Sequence, residues 1–233
     1  MSAAIWHYLE CGAYTADLPL WEELAADATV LDVGAGTGRV ALWLARAGCA
    51  VTALDVDPQL LAVLAARARA EGLDIETVVA DAAAFQVDAR FALVAVPMQT
   101  IQLLPARARA GFFASARRVL APGGLVALAI AAELETFEGD FLPPPDVGES
   151  GGTRYESQPT AVRAVPGGTR IERLRRVISG GDQITERDVI VLAAVTAESL
   201  AGEAAAAGLR LDGVRSIEPT PDHVGSEVVL LRG

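Results

Sequence analysis

The sequence predicts an α/β fold: a doubly wound, mostly parallel sheet of seven strands with helices on both faces. Between residues 29 and 131, short apolar runs alternate with patterns of helical periodicity. Strands that are apolar throughout and separated by helices are typical of a parallel sheet covered on both faces. Further along, β-like runs joined by glycine-containing turns predict an antiparallel β insertion after strand five.

The first five strands are predicted from apolar runs that end near Gly, Asp or Pro. They span residues 30–33, 50–54, 76–80, 91–96 and 125–131. Helices are predicted between them over residues 37–47, 57–71 and 105–120. Pro58 suits the first position of a helix, and Asp57 is expected to cap the amides that this helix leaves free. Right-handed crossovers between the parallel strands then give the doubly wound arrangement.

The remaining residues divide the chain into three predicted parts. Residues 1–132 form the core, and residues 133–195 form an antiparallel insertion that acts as a substrate lid. Residues 196–233 add a helix (196–208) and two strands (210–216 and 227–231) that complete the core sheet. Within the insertion, residues 133–153 are expected to be a long surface loop or a mobile cover, because they are rich in Gly, Pro, Glu and Asp and lack periodicity. Three strands are predicted over residues 154–165, 169–179 and 185–195.

Composition excludes several kinds of protein. Among the 233 residues, 19 basic and 30 acidic side chains give a net charge of −11, which disfavours a nucleic-acid partner. The sequence contains no Lys, which excludes a Schiff-base lysine and a phosphate-binding P-loop. The presence of only two histidines argues against a histidine-built metal site. The two cysteines are expected to be reduced thiols, and no apolar run is long enough to cross a membrane, so we expect a cytoplasmic protein.

The strongest motif is a strand that runs into a glycine-rich turn and then a helix. Gly34, Gly36 and Gly38 alternate in this turn, so the backbone is expected to adopt torsions closed to other residues and to approach a ligand closely. The helix that follows offers free amides to an anion. Asp32, at the end of the strand, could accept hydrogen bonds from an ammonium group. A dinucleotide fingerprint would place its third glycine at position 39, which is Arg39 here.

This stretch resembles motif I of the class I S-adenosylmethionine-dependent methyltransferases. Later segments agree in order and spacing, and the resemblance covers residues 6–131. It implies a Rossmann-like fold, S-adenosylmethionine as the cofactor, a ribose-binding carboxylate at Asp55 and adenine contacts at Asp81. The cofactor-binding residues that it implies are Tyr14, Asp32, Gly34, Ala35, Gly36, Gly38, Arg39, Asp55, Val56, Asp81, Ala82, Pro97, Met98 and Gln102.

The segment after strand four indicates the kind of acceptor. Enzymes of this family that methylate nucleic-acid bases usually carry an Asn/Asp-Pro-Pro-aromatic run there, whereas this chain has residues 96–99 as Val-Pro-Met-Gln. A small-molecule acceptor therefore fits better, with no nucleic acid or membrane as partner. Gln99 could orient the acceptor and His223 could act as a general base. Tyr155 and Glu156 are candidates to line the acceptor pocket.

Three alternatives stay open at this point. The chain could be an NAD(P)-dependent oxidoreductase on the same kind of sheet, or a protein that binds S-adenosylmethionine without catalysis. The arginines between residues 170 and 176 alternate partly with apolar residues, which is typical of a half-exposed strand, although they could also clamp an acidic substrate. The oligomeric state is expected to be a monomer or a homodimer.

Overall fold

The computed structural model of the protein describes residues 2–26, 28–131, 134–139, 142–220 and 223–233. The predicted boundary between residues 132 and 133 lies outside the described residues. The strands, in chain order, are β1 (Thr29–Val33), β2 (Ala50–Asp55), β3 (Ile75–Val79), β4 (Phe91–Val96), β5 (Leu120–Ile130), β6 (Asp146–Ser150), β7 (Thr153–Val165), β8 (Gly168–Ser179), β9 (Asp182–Ala193), β10 (Arg210–Ile217) and β11 (Ser226–Arg232). The helices are α1 (Ser2–Cys11), α2 (Leu18–Ala25), α3 (Arg39–Arg46), α4 (Pro58–Ala70), α5 (Ala106–Val119) and α6 (Ala197–Ala205).

The main sheet has seven strands in the order β10-β11-β5-β4-β1-β2-β3. Strands β1 to β5 pair in parallel, and β11 runs antiparallel to both β5 and β10. From β1 the chain continues to β2 and β3 on one side of the sheet, whereas β4 and β5 lie on the other side of β1. This reversal of strand order opens a crevice at the carboxyl ends of β1 and β4, where ligands of open α/β sheets bind. The predicted fold class is confirmed.

Apolar layers cover both faces of this sheet. On one face, fully buried Trp21 of α2 packs with α3 and α4 in a single cluster. On the other face, Phe112 and Phe113 of α5 pack with Leu200 of α6. Because side chains of a strand alternate between the faces, strands buried on both sides must be apolar at every position. This requirement explains the continuous apolar runs in the sequence.

The cap predicted for α4 is present, because the Asp57 carboxylate accepts a 2.7 Å hydrogen bond from the Gln59 amide. Helix α6 begins with a reciprocal cap between Thr196 and Ser199, whose side chains each accept from the other's backbone amide. Such caps satisfy amides that have no partner inside the helix.

No helix among the described residues combines the length and the hydrophobicity that crossing a bilayer requires.

Strand β5 begins earlier than predicted, at Leu120 instead of residue 125. Phe91 pairs with Leu120 and Leu93 pairs with Leu125, so between these two pairs one residue of β4 is matched by four residues of β5. Residues 122–124, Pro-Gly-Gly, lie before the predicted start of the strand at residue 125. In the structure they form a bulge within β5. A bulge of this kind depends on the partner strand, which the local sequence does not reveal.

The insertion forms a second, antiparallel sheet in the order β6-β7-β8-β9. Three of its strands were predicted, but β6 lies in residues 133–153, which were expected to be a loop. Its register places Gly148 opposite Tyr155, and the side chain of Leu9 from α1 lies against Gly148. The sequence of β6 has weak strand propensity, so pairing with β7 and contact with α1 stabilise it.

Candidate active site

A cavity of about 490 Å³ lies at the carboxyl ends of β1 to β4, between the main sheet, α1 and β9. Most of the sequence-predicted site residues line it. These are Asp32, Gly34, Ala35, Arg39, Asp55, Val56, Asp81, Ala82, Pro97, Met98 and Gln99. Tyr14, Gly36, Gly38, Gln102 and His223 are not among the lining residues.

The three glycines of the turn have left-handed φ angles of 75° (Gly34), 55° (Gly36) and 91° (Gly38). The expectation of unusual torsions is therefore confirmed. At Gly34 a Cβ atom would lie 2.6 Å from Thr100 Cγ2, so each of the three glycines lies close to another part of the protein. At Gly36 a Cβ atom would overlap with the His7 imidazole of α1. At Gly38 a Cβ atom would lie 2.6 Å from Leu64 Cγ. These glycines allow α1 and α4 to pack closely on the turn.

Asp55, at the end of β2, connects the turn to the neighbouring strand. Its Oδ2 accepts a 2.8 Å hydrogen bond from the Gly36 amide, and its Oδ1 accepts a 2.9 Å bond from the Asp57 amide. The amides of Gly34 and Ala35 also donate to the Leu54 carbonyl, at 2.8 and 3.0 Å. The carboxylate is thus held in one orientation, and each of its oxygens keeps a further lone pair for a ligand.

Asp32, at the end of β1, is 1% exposed and lines the cavity. Neither of its carboxylate oxygens has a hydrogen-bond partner among the described residues. Burial raises the pKa of Asp32 to about 7, with a smaller increase from Asp55. The Arg39 guanidinium and the nearby Ala41 amide lower the pKa, but by less than burial raises it. A buried carboxylate whose oxygens have no partner within hydrogen-bond distance can accept hydrogen bonds from a ligand.

Asp81 and Ala82 follow β3 at the rim of the cavity. The Asp81 Oδ1 accepts a 2.8 Å hydrogen bond from the Ala83 amide, which holds this loop in a turn. The exposed side chain of Val56 and the side chain of Leu60 also line the cavity. A flat apolar ligand could lie between these side chains and meet the Asp81 carboxylate at its edge.

Arg39 lines the cavity, yet its guanidinium is bound by the protein. Its Nη2 donates a 2.7 Å hydrogen bond to Asp17 Oδ2, and its Nη1 donates to Asp17 Oδ1 and, at 2.9 Å, to the Tyr14 carbonyl. The guanidinium also stacks over the Tyr14 ring at 5.2 Å. These contacts fix the loop between α1 and α2 on α3, so Tyr14 serves this packing and does not face the cavity.

His223 and Gln102 also lie outside the cavity. The His223 ring lies 4.9 Å from the ring of Tyr14 and close to Thr220. The buried Gln102 amide is engaged by backbone: its Oε1 accepts from the Ala131 amide at 2.8 Å, and its Nε2 donates to the carbonyls of Ala131 and Ala193. Gln102 joins β5 to β9, so its predicted contact with the cofactor is corrected.

Helix α1 contributes two cavity residues that the sequence analysis missed, His7 and Cys11. The His7 Nδ1 lies 3.2 Å from Thr37 Oγ1, and burial lowers the pKa of His7 although Asp55 and Glu10 oppose this shift. Burial raises the pKa of the Cys11 thiol to about 11. The spacing of four residues, which places both on one face of a helix, was the available signal.

The insertion contributes Ile190 and Leu192 of β9 to the cavity, and neither had been predicted. Tyr155 and Glu156, which had been predicted, do not line it. Tyr155 packs edge-to-face on Trp6 of α1, with ring centroids 5.5 Å apart. Glu156 pairs with Arg154 at 2.9 Å. Both side chains therefore hold the insertion together or dock it on α1.

The arginines of β8 are also bound within the protein. Arg175 binds both oxygens of Glu10 on α1 at 2.8 Å and Asp188 on β9 at 2.8 Å. Glu10 in addition accepts a 2.7 Å hydrogen bond from Ser157. This cluster joins α1 to the inner face of the insertion. The structure thus gives Arg175 a docking role, unlike the substrate clamp considered above.

Residues 30–124 match the family model described as a methyltransferase domain. The match spans β1 to the start of β5, which includes the glycine turn, Asp55 and Asp81. No curated protein matches the sequence. The domain match gives no support to the alternatives of an oxidoreductase or of a binding protein without catalysis.

Solved structures with the same fold cover nearly the whole chain. A S-adenosylmethionine-dependent methyltransferase from Clostridium acetobutylicum ATCC 824 has a TM-score of 0.73 and 13% identity, covering 99% of this chain and 97% of that one. The sugar N-methyltransferase KedS8 from Streptoalloteichus sp ATCC 53650 has a TM-score of 0.73 and 19% identity, covering 98% and 92%. CalS10, an amino pentose methyltransferase from Micromonospora echinaspora, has a TM-score of 0.69 and 21% identity, covering 97% and 96%.

The solved structures share the fold predicted from the sequence, and the domain match agrees with the predicted methyltransferase.

Proposed function

We propose that this methyltransferase binds S-adenosylmethionine across the ends of β1, β2 and β3 and transfers the methyl group to a small molecule. In this assignment Asp32 and Gly34 hold the methionine part and Asp55 holds the ribose. Asp81 and Ala82 read the adenine edge. Residues 133–195 act as the lid over the acceptor. The single observation that carries the proposal is the buried Asp32 carboxylate, whose oxygens have no partner within hydrogen-bond distance among the described residues.

The Asp32 carboxylate fits an ammonium group. An unpaired carboxylate at 1% exposure costs free energy in the ligand-free protein, as its raised pKa of about 7 shows. An ammonium group supplies both the opposite charge and the hydrogen-bond donors. The amino group of S-adenosylmethionine would therefore restore the ionised form of Asp32 when the cofactor binds.

Asp55 fits a pair of neighbouring hydroxyls. The Gly36 and Asp57 amides hold both of its oxygens at fixed positions, and its pair of oxygens matches the two donors of a ribose diol. Because no side chain has to be ordered when the ligand arrives, binding avoids part of the entropy cost.

When bound, S-adenosylmethionine supplies an electrophilic methyl group, so the protein needs to provide no nucleophile. The neutral thiol of Cys11 agrees with this, since its pKa of about 11 leaves it protonated at pH 7. The chain's own contribution is positioning and exclusion of water, through α1 and β9 over the cavity. Gln99 is assigned to orient the acceptor.

A small-molecule acceptor is supported by the charge of the chain and by similar proteins. The net charge of −11 opposes a nucleic-acid partner, and a cavity of about 490 Å³ lies within the range of small-molecule sites. Similar structures include enzymes described as acting on sugars, such as KedS8 and CalS10. We place the enzyme in the cytoplasm, as a monomer or homodimer.

The proposal is tested by titrating the purified chain with S-adenosylmethionine, S-adenosylhomocysteine and NADH in a calorimeter. We expect saturable binding of the first two and none of NADH. Release of S-adenosylhomocysteine with a panel of small amines and alcohols then measures transfer. Absence of heat with both adenosyl ligands at 1 mM would overturn the proposal, because a cavity that fits them should bind at lower concentrations.

A further inference from the structure

The end of the cavity opposite the ribose and adenine assignments has a chemistry of its own. Because β4 lies on the opposite side of β1 from β2 and β3, residues that follow β4 face away from the ribose and adenine assignments. The loop of residues 97–100, the turn of residues 100–103 and strand β9 enclose this end. The proposed function places the acceptor at this end.

The walls of this end are mainly apolar. Leu103 and Leu104 line one side, and Ile190 and Leu192 of β9 line the other. Leu192 is 3% exposed, whereas Leu103 is 51% exposed. A ligand that contacts Leu103 would therefore remove apolar surface from water. Burial of apolar surface against apolar surface stabilises a complex in proportion to the area removed from water.

The charges of the cavity disfavour an anion. Its lining carries the carboxylates of Asp32, Asp55 and Asp81. The one arginine among the described lining residues, Arg39, is held in a bidentate ion pair by Asp17 and is therefore neutralised. A phosphate placed at the acceptor end would meet apolar side chains and no unpaired arginine among the described lining residues, and it would lose its hydration.

One polar side chain, Gln99, can bind the acceptor at this end. It is half-buried and lines the cavity next to Met98, whose φ angle of 54° lies in the left-handed region. Such strain at a non-glycine residue is common in functional loops. The neighbouring Thr100 hydroxyl already donates to the Pro97 carbonyl at 3.0 Å. The Gln99 amide can both donate and accept, which suits a single neutral polar group.

We propose that the acceptor is an uncharged molecule with an apolar body and one polar nucleophile, rather than a nucleotide-linked or otherwise phosphorylated molecule. Its body lies between Leu103 and Ile190, and its nucleophile lies at Gln99. This inference rests on the proposed function, because the cofactor assignments define which end of the cavity receives the acceptor.

The test uses the full chain loaded with S-adenosylhomocysteine, whose binding is first measured by calorimetry. N-phenyl-1-naphthylamine, a neutral apolar fluorophore, and uridine diphosphate are then titrated separately. We expect saturable fluorescence enhancement with the first, and no heat or competition with the second. Ile190→Glu and the more exposed Leu103→Glu should each weaken fluorophore binding at least tenfold.

The matched control is Val191→Glu. Val191 is next to Ile190 on β9, is 48% exposed and is not among the residues that line the cavity. We expect it to bind the fluorophore like the wild type. All three variants should keep their affinity for S-adenosylhomocysteine, which shows that they are folded.

The outcomes separate the two proposals. If S-adenosylhomocysteine fails to bind, the proposed function falls and this inference falls with it. If it binds, but uridine diphosphate binds at least as tightly as the fluorophore, the acceptor class alone is overturned. The same holds if Ile190→Glu and Leu103→Glu bind the fluorophore like the Val191→Glu control.

Discussion

The Gly36 amide donates a 2.8 Å hydrogen bond to Oδ2 of Asp55 and so joins the turn after β1 to the end of β2. The Asp57 amide holds the other oxygen at 2.9 Å. Asp55 therefore has two tasks: it organises the turn, and it presents its remaining lone pairs to the cavity. A site that is organised before its ligand arrives binds with a smaller entropy cost.

Replacing Asp55 with Ala should weaken S-adenosylmethionine binding by about 10- to 100-fold, because charge-assisted hydrogen bonds contribute roughly 1.5–3 kcal/mol each. Isothermal titration calorimetry measures this change. Asp57→Ala is the matched control, since it removes a carboxylate that caps α4 at Gln59. That variant should lose about 1 kcal/mol of stability and keep its affinity for the cofactor. Equal affinities in the two variants would contradict the ribose assignment.

Asp32→Asn should stabilise the ligand-free protein at pH 8. The pKa of about 7 is raised above the ordinary value of 3.8, so between roughly pH 4 and 7 the folded state binds more protons than the unfolded state. The free energy of unfolding therefore falls as pH rises through this window. Removing the charge should recover about 2–4 kcal/mol at pH 8 and little at pH 4, as measured by urea denaturation. A gain that does not depend on pH would contradict the raised pKa.

The same carboxylate should make cofactor binding depend on pH. We expect the affinity for S-adenosylmethionine to increase from pH 6 to pH 8, because Asp32 loses its proton in this range and can then pair with an ammonium group. In Asp32→Asn the affinity should be lower and its pH profile flatter. The ligand's own titration is common to both proteins, so the difference between the two profiles isolates Asp32.

Gly36→Ala should destabilise the protein through two separable effects. The left-handed φ of 55° costs an alanine about 1–2 kcal/mol, and overlap of its Cβ with His7 adds to this. In a His7→Ala background only the backbone cost should remain. Gly48→Ala supplies the comparison, since Gly48 has a φ of 95° and an alanine Cβ at this position would meet nothing within 4 Å. Additive costs for Gly36→Ala and His7→Ala would contradict the contact between helix α1 and the turn.

Two glutamines three residues apart should respond differently to substitution. Gln99→Ala should lower the rate of methyl transfer by about tenfold with unchanged cofactor affinity, because one orienting hydrogen bond is lost. Gln102→Ala should instead lower stability by roughly 2–4 kcal/mol, since buried backbone groups of Ala131 and Ala193 lose their partner. Initial rates and urea denaturation distinguish the two. A stable Gln102→Ala variant with weakened cofactor binding would restore the sequence-based assignment.

The sequence alone determined the parallel sheet, the glycine turn and the carboxylates at the ends of its strands. These features depend on periodicity and spacing along the chain: strands buried on both faces are apolar at each position, and parallel strands bring their carboxyl ends to one edge. Asp32 and Asp55 lie at the carboxyl ends of their strands and Asp81 follows the next one, so their place at the cavity could be inferred without coordinates.

Tertiary structure alone decided what closes the cavity. His7 and Cys11 come from the first helix, and Ile190 and Leu192 come from a strand more than 170 residues later. Nothing in the local sequence of either segment sets their distance from Asp32. Tyr14 and Gln102 were predicted to bind the cofactor from their positions in the sequence. In the structure Tyr14 stacks with Arg39, and Gln102 hydrogen-bonds to the backbone that follows β5 and to that of β9. Packing between distant segments, which depends on the shape of the whole core, determines which side chains remain available to a ligand.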